Sequence, residues 1–304
     1  MFKEGKANTR LWVPRHSQVV APSSVYRYAK PVRGLPKAAL RPQIHHWTSR
    51  GLYAAWIGHS TVLLQIDGYT ILTDPIFSLK AGIHLGPMAL GVRRLVRPAV
   101  SLKDLPHIDL ILLSHAHMDH FDLPTLRRLC HAGTEVITAR GTSDLLCIRK
   151  YKRVTEIGWG ETALAGPVSV RAIQVRHWGR RLLHDDFRGY NGYLIHAGRY
   201  RILFAGDTAF TDSFRRNRPP QGVHLALMPI GAYNPWIGAH CNPEQAWQMG
   251  EHAGADFVLP IHHQTFALGR EPRKEPIERL LAAAGARETS LALRELGGEF
   301  RLSI

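Results

Sequence analysis

Between Ser114 and Asp122 the chain reads Ser-His-Ala-His-Met-Asp-His-Phe-Asp, so three imidazoles and two carboxylates fall within nine residues. The run directly follows an apolar stretch, Ile108 to Leu113, that reads as a buried strand. Ligands at the carboxyl end of a rigid strand are held in place before any ion arrives. His115 and His117 sit two apart, so in an extended chain they point to the same side. Asp119 and His120 must turn towards a second point. Each point then has two ligands and needs distant residues to complete it. The fold must therefore bring other chain segments to this strand end. With 18 His in 304 residues some clusters arise by chance, but an H-x-H-x-D-H spacing behind a strand reads as a metal motif. The mixed nitrogen and oxygen donor set suits zinc, with iron or manganese as alternatives.

The texture of the rest of the chain says where those segments come from. Residues 1–50 are rich in Pro, Arg, Lys and His with poor periodicity, and read as a basic N-terminal arm. From 51 to 304 the chain reads as one domain. Tyr53–Ile57, Val62–Ile66 and Tyr69–Leu72 are expected strands, the last two joined by a hairpin turn at Asp67-Gly68. Asp109–Ser114, Val168–Val175, Tyr193–Ile195, Arg201–Ala205, His224–Ile230 and Phe257–Ile261 are further expected strands. Helices are expected from Asp122-Leu123-Pro124 onward, from Asn242-Pro243 to about His252, and near 142–149 and 276–285. Strands interleaved with helices argue for two sheets covered by helices.

Three later residues each lie just past an apolar strand: His177, Asp207 and His262. Singly each is a weak signal. Together they supply what the first motif lacks. His115, His117 and His177 make a three-nitrogen site, Asp119, His120 and His262 a second, and Asp207 bridges them. Two metals about 3.5–4 Å apart can hold a hydroxide between them and clamp both oxygens of a displacement at phosphorus. Asp119 and Asp207 are thus the candidate catalytic carboxylates. His263 is the rival for His262, which directly continues the apolar run.

These residues resemble the metallo-β-lactamase superfamily, and within it the N-acyl-phosphatidylethanolamine-hydrolysing phospholipase D family. The resemblance spans most of residues 52–270. It rests on Trp56-Ile57-Gly58-His59-Ser60-Thr61-Val62, Leu72-Thr73-Asp74-Pro75-Ile76-Phe77, the Ser114 to Asp122 run, His177-Trp178 followed by Asp185-Asp186, Phe204-Ala205-Gly206-Asp207-Thr208, Met228-Pro229-Ile230-Gly231-Ala232-Tyr233, and Ile261-His262-His263-Gln264-Thr265-Phe266-Ala267-Leu268. The fold it implies is α+β, a four-layer αββα sandwich with two zinc ions per chain at the sheet edge. It selects His262 as the last ligand, with His263 standing where the family has an aromatic residue. It implies that Asp74 orients a metal-binding His from behind, and that His59, Tyr233, His240 and His263 are candidate substrate contacts. The reaction it implies is hydrolysis of a phospholipid head-group bond by a zinc-dependent phosphodiesterase. The alternatives are hydrolysis of another small anionic substrate, a lactone or a sugar phosphate, or a nuclease.

Composition bears on the partner. The net charge is +15, from 39 Lys and Arg against 24 Asp and Glu, which favours anionic partners. Residues 76–100 mix Ile76, Phe77, Leu79, Ile83, Leu85, Met88, Leu90, Leu95 and Val100 with Lys80, Arg93, Arg94 and Arg97, and contain no acidic residue. An apolar loop beside basic residues suits a peripheral contact with an anionic phospholipid surface, where each cation near the surface contributes ~1 kcal/mol. Nucleic acid is not an expected partner, because the intervals His120–His177 and Asp207–His262 are filled by core elements and leave no place for a clamp. Three Cys, at 130, 147 and 241, do not make a disulfide framework, and no Cys-x-x-Cys occurs. The N-terminus lacks the apolar core of a signal peptide, and no uncharged apolar run is long enough to span a bilayer. The expected location is cytoplasmic, peripheral to the inner face of a membrane where lipid is the substrate. The oligomeric state is left open, a dimer included.

Overall fold

The computed structural model describes residues 34–304 apart from Pro87. Most of the arm, 1–33, lies outside the described residues. The chain first forms strands β1 (Leu52–Gly58), β2 (Thr61–Ile66), β3 (Tyr69–Thr73), β4 (Lys80–Leu85), β5 (Met88–Arg93) and β6 (Leu110–Leu113). Helix α1 (Leu123–Leu129) is followed by β7 (Glu135–Ala139), β8 (Arg153–Ile157), β9 (Thr162–Ala165), β10 (Val168–Ile173), β11 (Gly192–Ala197) and β12 (Tyr200–Phe204). Then come α2 (Ser213–Arg216), β13 (Val223–Pro229), α3 (Pro243–His252), β14 (Ala255–Ile261), α4 (Glu275–Ala284) and β15 (Glu299–Leu302).

Two mixed sheets result. One has the order β15-β1-β2-β3-β6-β7-β8, the other β14-β13-β12-β11-β10-β9. In β1, Ala54 and Trp56 face inward to meet Ile195, Phe204 and Leu259 of the second sheet, while Ala55 and Ile57 face outward to pack with Leu126 of α1. The second sheet sends Ala226 and Met228 outward against Trp247 of α3 and Leu280 of α4. Both faces of the central strands are thus covered, which is why they read as unbroken apolar runs rather than alternating ones. The layers are helix, sheet, sheet, helix, the expected αββα sandwich. Among the described residues no helix is long and apolar enough to cross a membrane.

Several elements differ from expectation. The expected helix at 142–149 is two 3₁₀ turns, Ser143–Leu145 and Ile148–Lys150. The Glu156 carboxylate accepts the backbone N–H groups of Gly141, Thr142 and Ser143, which ties the segment into a turn before a helix can run on. Asp122 precedes α1, but its side chain takes Ser78 and Thr125 rather than the helix backbone. Residues 76–100 are not simply a loop: β4 and β5 make a separate two-stranded ribbon. Gly82 faces Gly91, and a side chain at either would run into a carbonyl of the partner strand. Arg94 does not belong with the solvated basic residues of this stretch. It is 1% exposed, donates to the carbonyls of Ile76 and Ser78, and covers the Phe266 ring. At the described end of the arm, Leu40 bonds to Leu296, Pro36 to Arg97, and Trp47 stacks on Tyr53.

Candidate metal centre

The site forms where strand ends from both sheets meet. Past β6 the loop 114–121 turns back on itself, with the N–H groups of His120 and Phe121 both donating to the His117 carbonyl. His177 follows β10, Asp207 follows β12 and His262 directly follows β14. His59, in the turn between β1 and β2, accepts the His262 N–H at its carbonyl and donates its own N–H to Thr265. His59, Asp74 and His262 all hold positive φ (55°, 31° and 62°). Such backbone is unfavourable for side-chain-bearing residues and concentrates at functional sites, where surrounding structure enforces it.

The structure brings all seven proposed ligands together. His115, His117 and His177 form one group and His59, Asp119, His120 and His262 another, each with ligand atoms within 4.8 Å of one another. Asp207 stands between them. Its Oδ2 lies 3.1 Å from the Nε2 atoms of both His120 and His262, 3.8 Å from His177 Nε2 and 4.0 Å from His115 Nε2. Asp119 Oδ2 lies 3.3 Å from His120 Nε2 and 3.5 Å from His262 Nε2, and accepts a hydrogen bond from His59 at 2.9 Å.

Behind the ligands the hydrogen bonds fix ring tautomers. Buried Asp74 accepts from the Ser114 N–H (2.7 Å), the Ser114 hydroxyl (2.5 Å) and His120 Nδ1 (2.7 Å). Because the Ser114 hydroxyl donates to Asp74, it accepts from His115 Nδ1 at 2.8 Å. His177 Nδ1 donates to the Ala239 carbonyl at 3.0 Å. In each case the Nδ1 proton is committed outward and the Nε2 lone pair faces inward, the arrangement that sets a histidine up as a metal ligand.

The inward atoms need a cation. His115 Nε2, His120 Nε2, His262 Nε2 and Asp207 Oδ1 are buried without a hydrogen-bond partner, although several lie near 3 Å from a neighbour's polar atom. His177 Nε2 and His117 Nδ1 face each other at 3.2 Å. Burying unpaired acceptors is costly. Buried polar atoms aimed at a common point without hydrogen-bond alignment fit metal ligands. Electrostatics agrees. Burial pushes His177 down to about 3, His240 to about 4 and His115 well below the ordinary histidine value, so these rings are neutral donors at pH 7. Burial alone would raise Asp119 and Asp207, but the surrounding imidazoles outweigh it and hold both well below the carboxylate range. Burial opposes a charge on His262, yet Asp207 and Asp119 hold it up at about 9, so this side carries a proton that a cation would replace.

The other candidates divide. His59 joins through Asp119. His240 Nδ1 is buried and unpartnered 3.8 Å from Asp207 Oδ2, with its ring 5.0 Å from that of His177. Tyr233 is not brought to the cluster: its hydroxyl donates to Glu275 and Arg279 covers its ring. His263 turns away too, lying buried and stacked on Trp56 at 4.5 Å. Ser114 was missed by sequence reasoning; its place inside the motif was the available signal. Trp178, stacked on His177 at 4.4 Å, borders the centre on the solvent side.

The profile of the beta-lactamase superfamily domain matches residues 69–263, more than half of the chain. An uncharacterized protein of Mycobacterium tuberculosis is 34% identical over 301 residues, covering 96% of this chain and 78% of its own length. The N-acyl-phosphatidylethanolamine-hydrolyzing phospholipase D 1 of Caenorhabditis elegans is 29% identical over 273 residues, 81% of this chain and 75% of that one. A metallo hydrolase of Ignicoccus hospitalis shares the fold, with a TM-score of 0.62 at 20% identity over 83% of this chain and 99% of that one. The resemblance read from the motifs is therefore met by sequence relatives and by fold, and this chain belongs to the beta-lactamase superfamily as a metal-dependent hydrolase.

Proposed function

We propose that the protein is a dinuclear, zinc-dependent phosphodiesterase that hydrolyses the head-group bond of a phospholipid, in the manner of the N-acyl-phosphatidylethanolamine-hydrolysing phospholipases D. The observation that carries the two-ion reading is the position of Asp207, one carboxylate facing both ligand groups at 3.1 to 4.0 Å. His115, His117 and His177 would hold one ion and Asp119, His120 and His262 the other, with Asp207 shared. When bound, such a pair supplies a water activated at neutral pH and neutralises charge on a displacement at phosphorus.

The chain's own groups prepare that reaction. Asp74 fixes His120 directly and His115 through Ser114. His59 holds the Asp119 carboxylate in place. His240, buried with Nδ1 unpartnered, is aimed at the space beside Asp207 and is the candidate contact for a phosphoryl oxygen or the leaving group. Trp178, stacked on His177, borders the centre on the solvent side.

A lipid substrate is supported by the β4–β5 ribbon. The register pairs Ile83 with Leu90 and Leu85 with Met88, so these side chains, with Val92, share one face. Met88 is 65% exposed, Leu90 64% and Leu85 56%. No acidic residue lies between Asp74 and Asp104. An uncovered apolar face with Lys80 and Arg93 at its base suits contact with an anionic bilayer surface. The test is to offer the purified protein a phospholipid, a lactone and a bis-aryl phosphodiester. Release of the lipid head group together with phosphodiester turnover supports the reading; lactone hydrolysis alone rejects it.

A further inference from the structure

His177 reaches the centre from a different sheet than the loop that carries His115, His117, Asp119 and His120. Apart from an ion, something must hold the two segments in register. The segment after His177 runs without regular structure until Tyr190, which pairs with His115 in an isolated antiparallel bridge, so between these two points no strand or helix ladder positions it. It is fixed at its far end by Arg188, which is 6% exposed, pairs with Asp144 and Asp185 and donates to the Gly141 carbonyl. At its near end stands Arg181. One nitrogen of its guanidinium, Nη1, donates to the carbonyls of Ala116 at 2.7 Å and Phe121 at 2.9 Å. Ala116 lies between His115 and His117, and Phe121 directly follows His120. The guanidinium also packs on the Phe121 ring, 6.0 Å from its centroid.

We infer that Arg181 is a positioning residue for the metal centre: it ties the His177 segment to both ends of the ligand loop and so sets the spacing of the three-histidine group. Hydrogen bonds from a charged donor to carbonyls are stronger than neutral ones and fix direction as well as distance. The inward atoms of this group are already crowded, with His117 Nδ1 and His177 Nε2 at 3.2 Å. A small slip of one segment against the other would change the ligand geometry while leaving the sheets unaltered. Groups that orient ligands from behind typically change metal affinity by roughly 10–100-fold when lost.

The test compares Arg181→Met, which keeps length but removes the donors, with Arg181→Lys, which keeps a charged donor. Both are loaded with cobalt, and three quantities are read: the rate of cobalt loss to a chelator, the visible spectrum of the bound cobalt, and the melting temperature of the metal-stripped protein. Arg181→Met is expected to lose cobalt at least ~10-fold faster with an altered spectrum, while the stripped protein melts within about 3 °C of the parent. Arg181→Lys is expected to restore the parental spectrum and most of the retention. Parental retention and spectrum in Arg181→Met overturn the inference, whether or not turnover changes. A large drop in melting temperature without a change in cobalt retention overturns it as well. If the methionine variant does not fold, Arg181→Gln gives the same readout: intermediate retention supports the role and parental retention rejects it. None of these readings depends on the substrate.

Discussion

Asp74 accepts the Nδ1 proton of His120 at 2.7 Å while both groups are fully buried. The same carboxylate takes the hydroxyl and backbone N–H of Ser114, whose hydroxyl in turn orients His115. One buried side chain thus aims a histidine of each ligand group. Asp74→Asn keeps the volume but offers one acceptor oxygen instead of two. Metal affinity is expected to fall roughly 10–100-fold, read by competition with a chelator. Parental affinity in this variant would remove Asp74 from the account of the site.

His262 and His263 are neighbours with opposite fates. His262→Ala is expected to lose one ion and nearly all turnover. His263 is buried against Trp56, and neither ring nitrogen has a partner. His263→Phe keeps the stacking and removes two unsatisfied polar atoms, so it is expected to retain the parental metal content and to gain roughly 1 kcal/mol of stability. Metal analysis and denaturant unfolding of both variants check this. Metal loss from His263→Phe with full retention in His262→Ala would exchange their roles.

The ribbon gives a prediction about surfaces. Leu85→Ser, Met88→Ser and Leu90→Ser combined are expected to weaken sedimentation with anionic vesicles at least ~10-fold, since each exposed apolar side chain that enters an interface contributes about 1.5–3 kcal/mol when fully buried. Added salt is expected to weaken binding of the parent, because the attraction of Lys80 and Arg93 is screened. Vesicle binding that survives both changes would contradict the lipid-surface reading. Arg94 is no part of this surface: its burial at the ribbon's root predicts that Arg94→Glu unfolds or misfolds the protein instead.

How much of this was legible in the sequence follows from how each part is held. The central strands are covered on both faces, so β1, β6, β12 and β14 announce themselves as apolar runs, and the residues just beyond them fall at one sheet edge. The ribbon reads as a loop in the sequence because Gly82 and Gly91 interrupt its pattern and its apolar face, past Ala81, is exposed. β7, β8, β9 and β15 carry no expectation in the sequence: β8, β9 and β15 lie at sheet edges, and β7, buried throughout, has Glu135 and Thr138 in its short run. Sequence put His263 and Tyr233 beside the site in the chain, but not the direction of their side chains, which is decided by Trp56 and Glu275. Arg181 acts through bonds to residues 60 or more positions back, a relationship no local pattern carries, whereas Ser114, which bonds Asp74 across 40 positions, is marked by its place next to His115.

Asp207 faces both ligand groups, and the two-ion proposal has it shared between the ions. Asn is nearly isosteric, carries no charge and offers one oxygen, so Asp207→Asn should weaken the ion held by Asp119, His120 and His262 most and spare the three-histidine group. The direct measurement is elemental analysis of parent and variant purified without chelator. About two metal equivalents are expected in the parent and about one in Asp207→Asn, with a rate at pH 7 at least ~10²-fold lower, some 2.7 kcal/mol of barrier. A fully active parent holding one equivalent, or an Asp207→Asn variant that keeps two and turns over normally, would mean that Asp207 is not shared between two ions.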